Sequence, residues 1–231
     1  MTGLFVLLAS VVAVPGHSGA SPQIIGSNGQ GTLLLIGDSL TVGSAAFGSL
    51  ATRLRSTSIW PRVTVDARDG RTAATGATTV NKRVTPHTTA IVIALGTNDM
   101  ISKPETWYPS WVIDRVMAQT RGTPVLWLTL EFSGTARPEW RQRASRFNRA
   151  LRAAQNKWPT LTVSDWNSYF VPNRVSRFIA DGVHLTVHGY RTRASFSVKQ
   201  ISLFGATLVD ASTTTSTTST PIATTTSEPD N

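Results

Sequence analysis

Short apolar runs rich in β-branched residues alternate with longer amphipathic stretches from residue 32 to residue 204. That alternation predicts a parallel α/β sheet with helical crossovers. The expected strands are residues 33–36, 62–67, 90–95, 124–130 and 160–163, the last the least apolar. Strands covered on both faces lose the in–out alternation of a half-exposed sheet, and the runs at 33–36, 90–95 and 124–130 have lost it. The expected helices are 42–55, 72–83, 107–119, 138–157 and 186–204. The fourth has the clearest period. Trp140, Ala144, Phe147, Leu151, Ala154 and Trp158 recur at steps of four and three, which builds one apolar stripe. Arg141, Arg143, Arg146, Arg149 and Arg152 fall mostly off the stripe, either as a solvated face or as a contact for an anionic polymer.

The two ends break this pattern. Residues 4–14 are apolar save for Ser10 and are followed by Pro15-Gly16 and Ser18-Gly19-Ala20. Such a stretch fits a secretory signal peptide cleaved after Ala20, although no Lys or Arg precedes it, or an N-terminal membrane segment of residues 1–20. Eleven residues are too few to span a bilayer as a mature helix. A linker over 21–31 then leads into a domain over 32–208. From Ser212 to Asn231, 13 of 20 residues are Ser or Thr, too polar to order themselves by burial. Residues 209–231 are therefore expected to be a disordered tail, as an O-glycosylated stalk or as plain solvated chain. Both ends point to export, to a secreted or cell-envelope location.

With 231 residues, 40% of them hydrophobic, the chain can bury one sizeable core. It has no cysteine, which excludes disulfides and thiolate metal sites. The net charge of +9 comes from 18 Arg and 4 Lys against 13 acids. This balance favours anionic surroundings such as envelope polymers. No nucleic-acid motif accompanies it, and nucleic acid is not an expected partner.

Candidate chemistry enters at Gly37-Asp38-Ser39-Leu40, directly after the first strand. Ligands of parallel sheets gather at the carboxyl ends of the strands, so a serine there is well placed as a nucleophile. A serine hydroxyl needs a base to take its proton. His184 lies three residues after Asp181 in a glycine-containing loop, where the carboxylate can hold one ring nitrogen and leave the other for the serine. His17 precedes the signal cleavage point, and His87 sits in a turn. Acyl transfer also needs donors for an oxyanion: the Asn98 amide, the Gly70 N–H and the Ser39 N–H are the candidates. Asp38 and Asp99 with His184 and His188 invite a metal reading, but His-x-x-x-His here lacks the glutamate and third ligand of a hydrolytic zinc site. Trp107 and Trp111 are candidates to line an acyl or sugar pocket, or to serve the core.

Taken together, Gly37-Asp38-Ser39-Leu40-Thr41-Val42-Gly43, Gly70, Gly96-Thr97-Asn98-Asp99 and Asp181-Gly182-Val183-His184-Leu185-Thr186 resemble the four blocks of the SGNH (GDSL-type) hydrolase family, in order and over about residues 32–204. The resemblance implies a flavodoxin-like three-layer α/β/α sandwich with a central parallel sheet of about five strands. It implies an acyl-serine esterase with neither metal nor organic cofactor, in which Ser39, His184 and Asp181 are catalytic. Ser39, Gly70 and Asn98 would form the oxyanion hole. Arg71 departs from the acidic residue common after the block-two glycine and is similar to SGNH domains of cell-envelope O-acyltransferases, which suggests a substrate contact. The expected substrate is a small-molecule or glycan acyl ester with a short acyl group. The alternatives are O-acyl transfer to a sugar hydroxyl and an exported binding module without turnover.

Overall fold

The computed structural model describes residues 31–170 and 177–217. Strands β1 (Thr32–Gly37), β2 (Arg62–Ala67), β3 (Ala90–Ala94), β4 (Val125–Leu128) and β5 (Leu161–Ser164) form one sheet in the order β2-β1-β3-β4-β5. Every neighbouring pair is parallel. Helices α1 (Ser39–Gly48), α2 (Leu50–Arg55), α3 (Ala73–Arg83), α4 (Thr97–Ser102), α5 (Tyr108–Met117), α6 (Pro138–Ala154), α7 (Trp166–Phe170) and α8 (Val187–Thr217) accompany it.

Alternate residues of each inner strand feed opposite layers. Leu34, Ile36, Ile91, Ile93, Val125 and Trp127 share a core with α3, α5 and α6. Leu33, Leu35, Ala90, Val92, Leu126 and Leu128 share the other with α2, α7 and α8. Both faces of the sheet are therefore buried, which accounts for the unbroken apolar runs and gives the three-layer α/β/α architecture expected. The chain leaves β1 for β2 on one side and then reverses to β3 on the other. That reversal opens a crevice at the carboxyl ends of β1 and β3, where doubly wound sheets hold ligands. The strand ends there are level, with Gly37 of β1 opposite both Ala67 of β2 and Ala94 of β3.

Several boundaries differ from the sequence expectation for local reasons. The helix expected over 42–55 begins at Ser39 and is broken at Ser49, whose φ of 51° is left-handed and separates α1 from α2. Helices α4 and α7, of six and five residues, are too short to show a helical period. α8 continues past residue 204 to Thr217, into the Ser/Thr-rich segment. It packs tightly on α1: a Cβ on Gly43 would lie 2.2 Å from the Tyr190 ring. Among the described residues no helix is long and apolar enough to cross a membrane. The N-terminal segment of residues 1–20, the linker up to residue 30 and the tail beyond Thr217 lie outside the described residues.

Candidate active site

β1 runs into α1 with a single intervening residue. Asp38 is the N-cap: its Oδ1 accepts the Leu40 N–H at 3.0 Å, and its carbonyl accepts those of Thr41 and Val42. Such a cap contributes about 1 kcal/mol and fixes the first turn. Ser39 is thereby the first helical residue, its side chain held at the rim of the crevice. Its N–H donates to no group among the described residues, as expected for a helix N-terminus, where the dipole favours negative charge.

His184 arrives on a short hairpin. Phe178 and Leu185 form an antiparallel bridge, and the Ile179 N–H donates to the His184 carbonyl at 2.9 Å. Gly182 turns this loop with φ 71°, and a Cβ there would meet the Ala136 backbone at 2.8 Å. Only glycine meets both demands. The Gly182 carbonyl accepts the Ser133 N–H at 2.9 Å, which ties the hairpin to the segment after β4.

The three expected catalytic side chains meet. His184 Nε2 lies 3.0 Å from Ser39 Oγ, and His184 Nδ1 lies 2.7 Å from Asp181 Oδ2. Asp181 Oδ1 accepts the backbone N–H groups of Val183 and His184 at 2.8 and 2.9 Å. Burial pushes the Asp181 carboxyl upward, but the His184 ring and these two N–H groups outweigh it and hold it below the usual carboxylate range. An ionised carboxylate only accepts, so Nδ1 carries the ring proton and Nε2 presents a lone pair to the serine. The side chains of His184 and Asp181 are 41% and 43% exposed, so the site opens to solvent.

The two other oxyanion candidates come from the neighbouring strand ends. Gly70 follows β2 with φ 72°, and a Cβ there would meet nothing within 4 Å. Backbone conformation, rather than crowding, requires the glycine. Its N–H donates to no group among the described residues. Asn98, in the first turn of α4 after β3, donates one Nδ2 hydrogen to the Arg71 carbonyl at 3.1 Å. Its second amide hydrogen remains to be given.

The residues around this set hold it in place. Asp99 is fully buried; it accepts the Ala73 N–H at 2.7 Å and the Tyr108 hydroxyl at 2.7 Å, which clamps the loop carrying Gly70 to α4. Burial raises the Asp99 carboxyl and these hydrogen bonds oppose the rise. Arg71, expected to reach substrate, is turned inward, with its side chain only 8% exposed. Its guanidinium donates to the Asp66 carboxylate at 2.6 Å, to the Asp66 carbonyl and to the Gly37 carbonyl at 3.2 Å. Asp66 is a stronger partner than solvent, so Arg71 ties β1 to β2 and belongs to the framework. Trp107 and Trp111 are 60% and 42% exposed and meet edge to face at 6.0 Å, whereas Tyr108 between them is buried. They stand outside the core.

Sequence reasoning missed Arg193. It is buried, stacks over Trp166 at 5.2 Å, and its charge faces the buried Asp38. Burial still pushes Asp38 up to about 6 against that charge. The signal was available: Arg193 falls on the same helical face as Tyr190 and Ser197, an arginine on an inward stripe.

The family model for the GDSL-like lipase/acylhydrolase family matches residues 35–192. No curated protein matches the sequence. Among solved structures, a lipase/acylhydrolase from Enterococcus faecalis is 22% identical with a TM-score of 0.62, over 74% of this chain and 95% of that one. The catalytic C-terminal domain of peptidoglycan O-acetyltransferase A from Streptococcus pneumoniae is 20% identical with a TM-score of 0.62, over 78% and 95%. A GDSL-like lipase from Bacteroides thetaiotaomicron is 16% identical with a TM-score of 0.56, over 77% and 89%. At these identities the structures speak to the fold, and the family match covers more than half of the chain. The chain belongs to the GDSL-like lipase/acylhydrolase family.

Proposed function

We propose that this protein is an exported serine esterase that hydrolyses acyl esters, short-chain ones carried on cell-envelope carbohydrate, through an acyl-serine. The observation that carries the reading is the unbroken chain from Ser39 Oγ to His184 Nε2 at 3.0 Å and from Nδ1 to Asp181 at 2.7 Å. In this reading His184 takes the serine proton as Oγ attacks the ester carbonyl. The N–H groups of Ser39 and Gly70 and the Asn98 amide receive the negative charge of the tetrahedral intermediate. His184 then protonates the leaving alcohol, and a water activated the same way releases the acid. The open mouth suits an ester whose alcohol is bulky, and the net charge of +9 suits an anionic envelope. Trp107 and Trp111 offer exposed rings on which a sugar could stack.

Turnover of p-nitrophenyl acetate, with a folded Ser39→Ala control, tests the mechanism. Hydrolysis that survives the substitution would remove Ser39 from it. Likeness to the O-acetyltransferase domain favours a second reading, in which a sugar hydroxyl replaces the water. Formation of acetylated sugar in a mixture of acyl donor and oligosaccharide, in preference to free acetate, would select transfer.

A further inference from the structure

We propose that a cleft beside α6 is a separate binding site for an acidic sugar unit, a hexuronate or a sugar phosphate. The cleft encloses about 310 Å³ between the segment after β4, α6 and the start of α7. That is within the range of ligand-holding pockets, about 300–1,000 Å³. Its floor is fixed. Asn148 of α6, itself buried, accepts the Leu130 N–H at 2.8 Å and donates to the Leu130 carbonyl at 2.9 Å, so residues beside it cannot shift independently of the helix.

The lining has a definite polarity. Arg141, Arg149 and Arg152 lie on one face of α6 and border the cleft. Arg152 is engaged by Asp165 at 2.9 Å. Arg149 donates to the Ser145 hydroxyl at 2.9 Å, and neither it nor Arg141 has an acidic partner among the described residues. Two guanidiniums are thus available for a carboxylate or phosphate, which they can grip through paired hydrogen bonds. Glu131 also lines the cleft; it is 5% exposed, accepts from the Asn167 amide and is otherwise engaged, so it is not counted as a ligand contact. These two guanidiniums beside the polar side chains of Ser145 and Asn167 suit a polyhydroxylated ligand with an acidic substituent. The arginine stripe read from the sequence as a solvated face or a polymer contact therefore has a shaped recess beneath it.

The segment that lines the cleft is linked to the catalytic hairpin, because Ser133, two residues beyond Glu131, donates to the Gly182 carbonyl at 2.9 Å. A polymer seated there would lie along the same edge of the sheet as Ser39. The binding claim itself does not depend on the esterase reading, and its test uses no turnover to score it.

Calorimetric titration of the full chain with trigalacturonate and with glucose 1-phosphate, at ~0.15 M salt to suppress long-range attraction, is the experiment. At least one should bind, and which one binds identifies the carboxylate or the phosphate as the recognised group. Maltotriose and inorganic phosphate should bind at least about tenfold more weakly, as loss of a charge-assisted pair or of the hydroxyl contacts predicts. The double variant Arg141→Gln/Arg149→Gln should weaken binding at least about tenfold, whereas Arg53→Gln/Lys82→Gln, which removes the same charge elsewhere, should change it less than about twofold. Both variants should keep the wild-type melting temperature and p-nitrophenyl acetate turnover. Absence of binding by either acidic sugar overturns the proposal. Equal weakening by the two double variants, or equal binding of maltotriose, overturns it as well, since the attraction would then be general or indifferent to the acid.

Discussion

Replacing Asp181 by asparagine isolates one proton in the site. Asp181 Oδ1 already accepts from Val183 and His184, and an asparagine oxygen can keep both bonds. The amide nitrogen then faces His184 Nδ1, where the carboxylate oxygen stood at 2.7 Å. An NH₂ group donates, so the ring must accept at Nδ1 and carry its proton on Nε2, facing Ser39. The base is lost without loss of shape. In serine triads this change lowers kcat about 10⁴-fold. Here the pair is more than two-fifths exposed, and water can partly replace the missing carboxylate. We therefore expect kcat for p-nitrophenyl acetate to fall about 10³-fold, roughly 4 kcal/mol at 1.36 kcal/mol per decade. KM and the melting temperature should stay near wild type. A fall of less than tenfold in a folded variant would refute the reasoning and remove Asp181 from the orientation of His184.

Asn98→Ala should lower kcat about 10²-fold with little change in KM, as loss of one oxyanion donor does, and single-turnover measurement would show it in the acylation step. Arg71→Met leaves Asp66 and the Gly37 carbonyl without their buried partner and should cost about 2–3 kcal/mol in urea denaturation; a neutral result would contradict the tie between β1 and β2. Gly70→Ala places an alanine at φ 72° and should cost about 1–2 kcal/mol, with kcat falling as the N–H tilts away. Asp38 titrates higher in the folded protein, at about 6 against 3.8, so its contribution is fully present below pH 4 and is lost as pH rises through about 6. Relative to Asp38→Asn, the wild type should accordingly be less stable at pH 7 than at pH 4, and denaturation curves parallel at both pH values would oppose this.

Strands and layers were legible because a sheet buried on both faces writes itself as runs of apolar residues, and β1, β3 and β4 are such runs. The α6 stripe was legible for the same reason: Ala144, Phe147 and Leu151 are buried where the period placed them. Ser39, Asp181 and His184 could be picked out because each has a chemical role and a distinctive local setting. The direction of Arg71 could not. Its position next to Gly70 suggested the crevice, but Asp66, five residues earlier, and the Gly37 carbonyl on the paired strand hold the guanidinium inward. The break at Ser49 was equally hidden, since nothing in Gly48-Ser49-Leu50 forbids a continuous helix until α8 packs against both halves.

The level ends of β1, β2 and β3 have one more consequence. Each contributes one member of the proposed oxyanion set, two to four residues beyond the last paired position: Ser39 after Gly37, Gly70 after Ala67, Asn98 after Ala94. Their relative heights are therefore set by ladder hydrogen bonds between main chains, which are indifferent to side-chain identity. Substitutions on the outer helices leave those heights unchanged as long as the sheet keeps its pairing and Asp99 keeps its hold on Ala73 and Tyr108. The spacing of the proposed site is thus carried chiefly by the main chain.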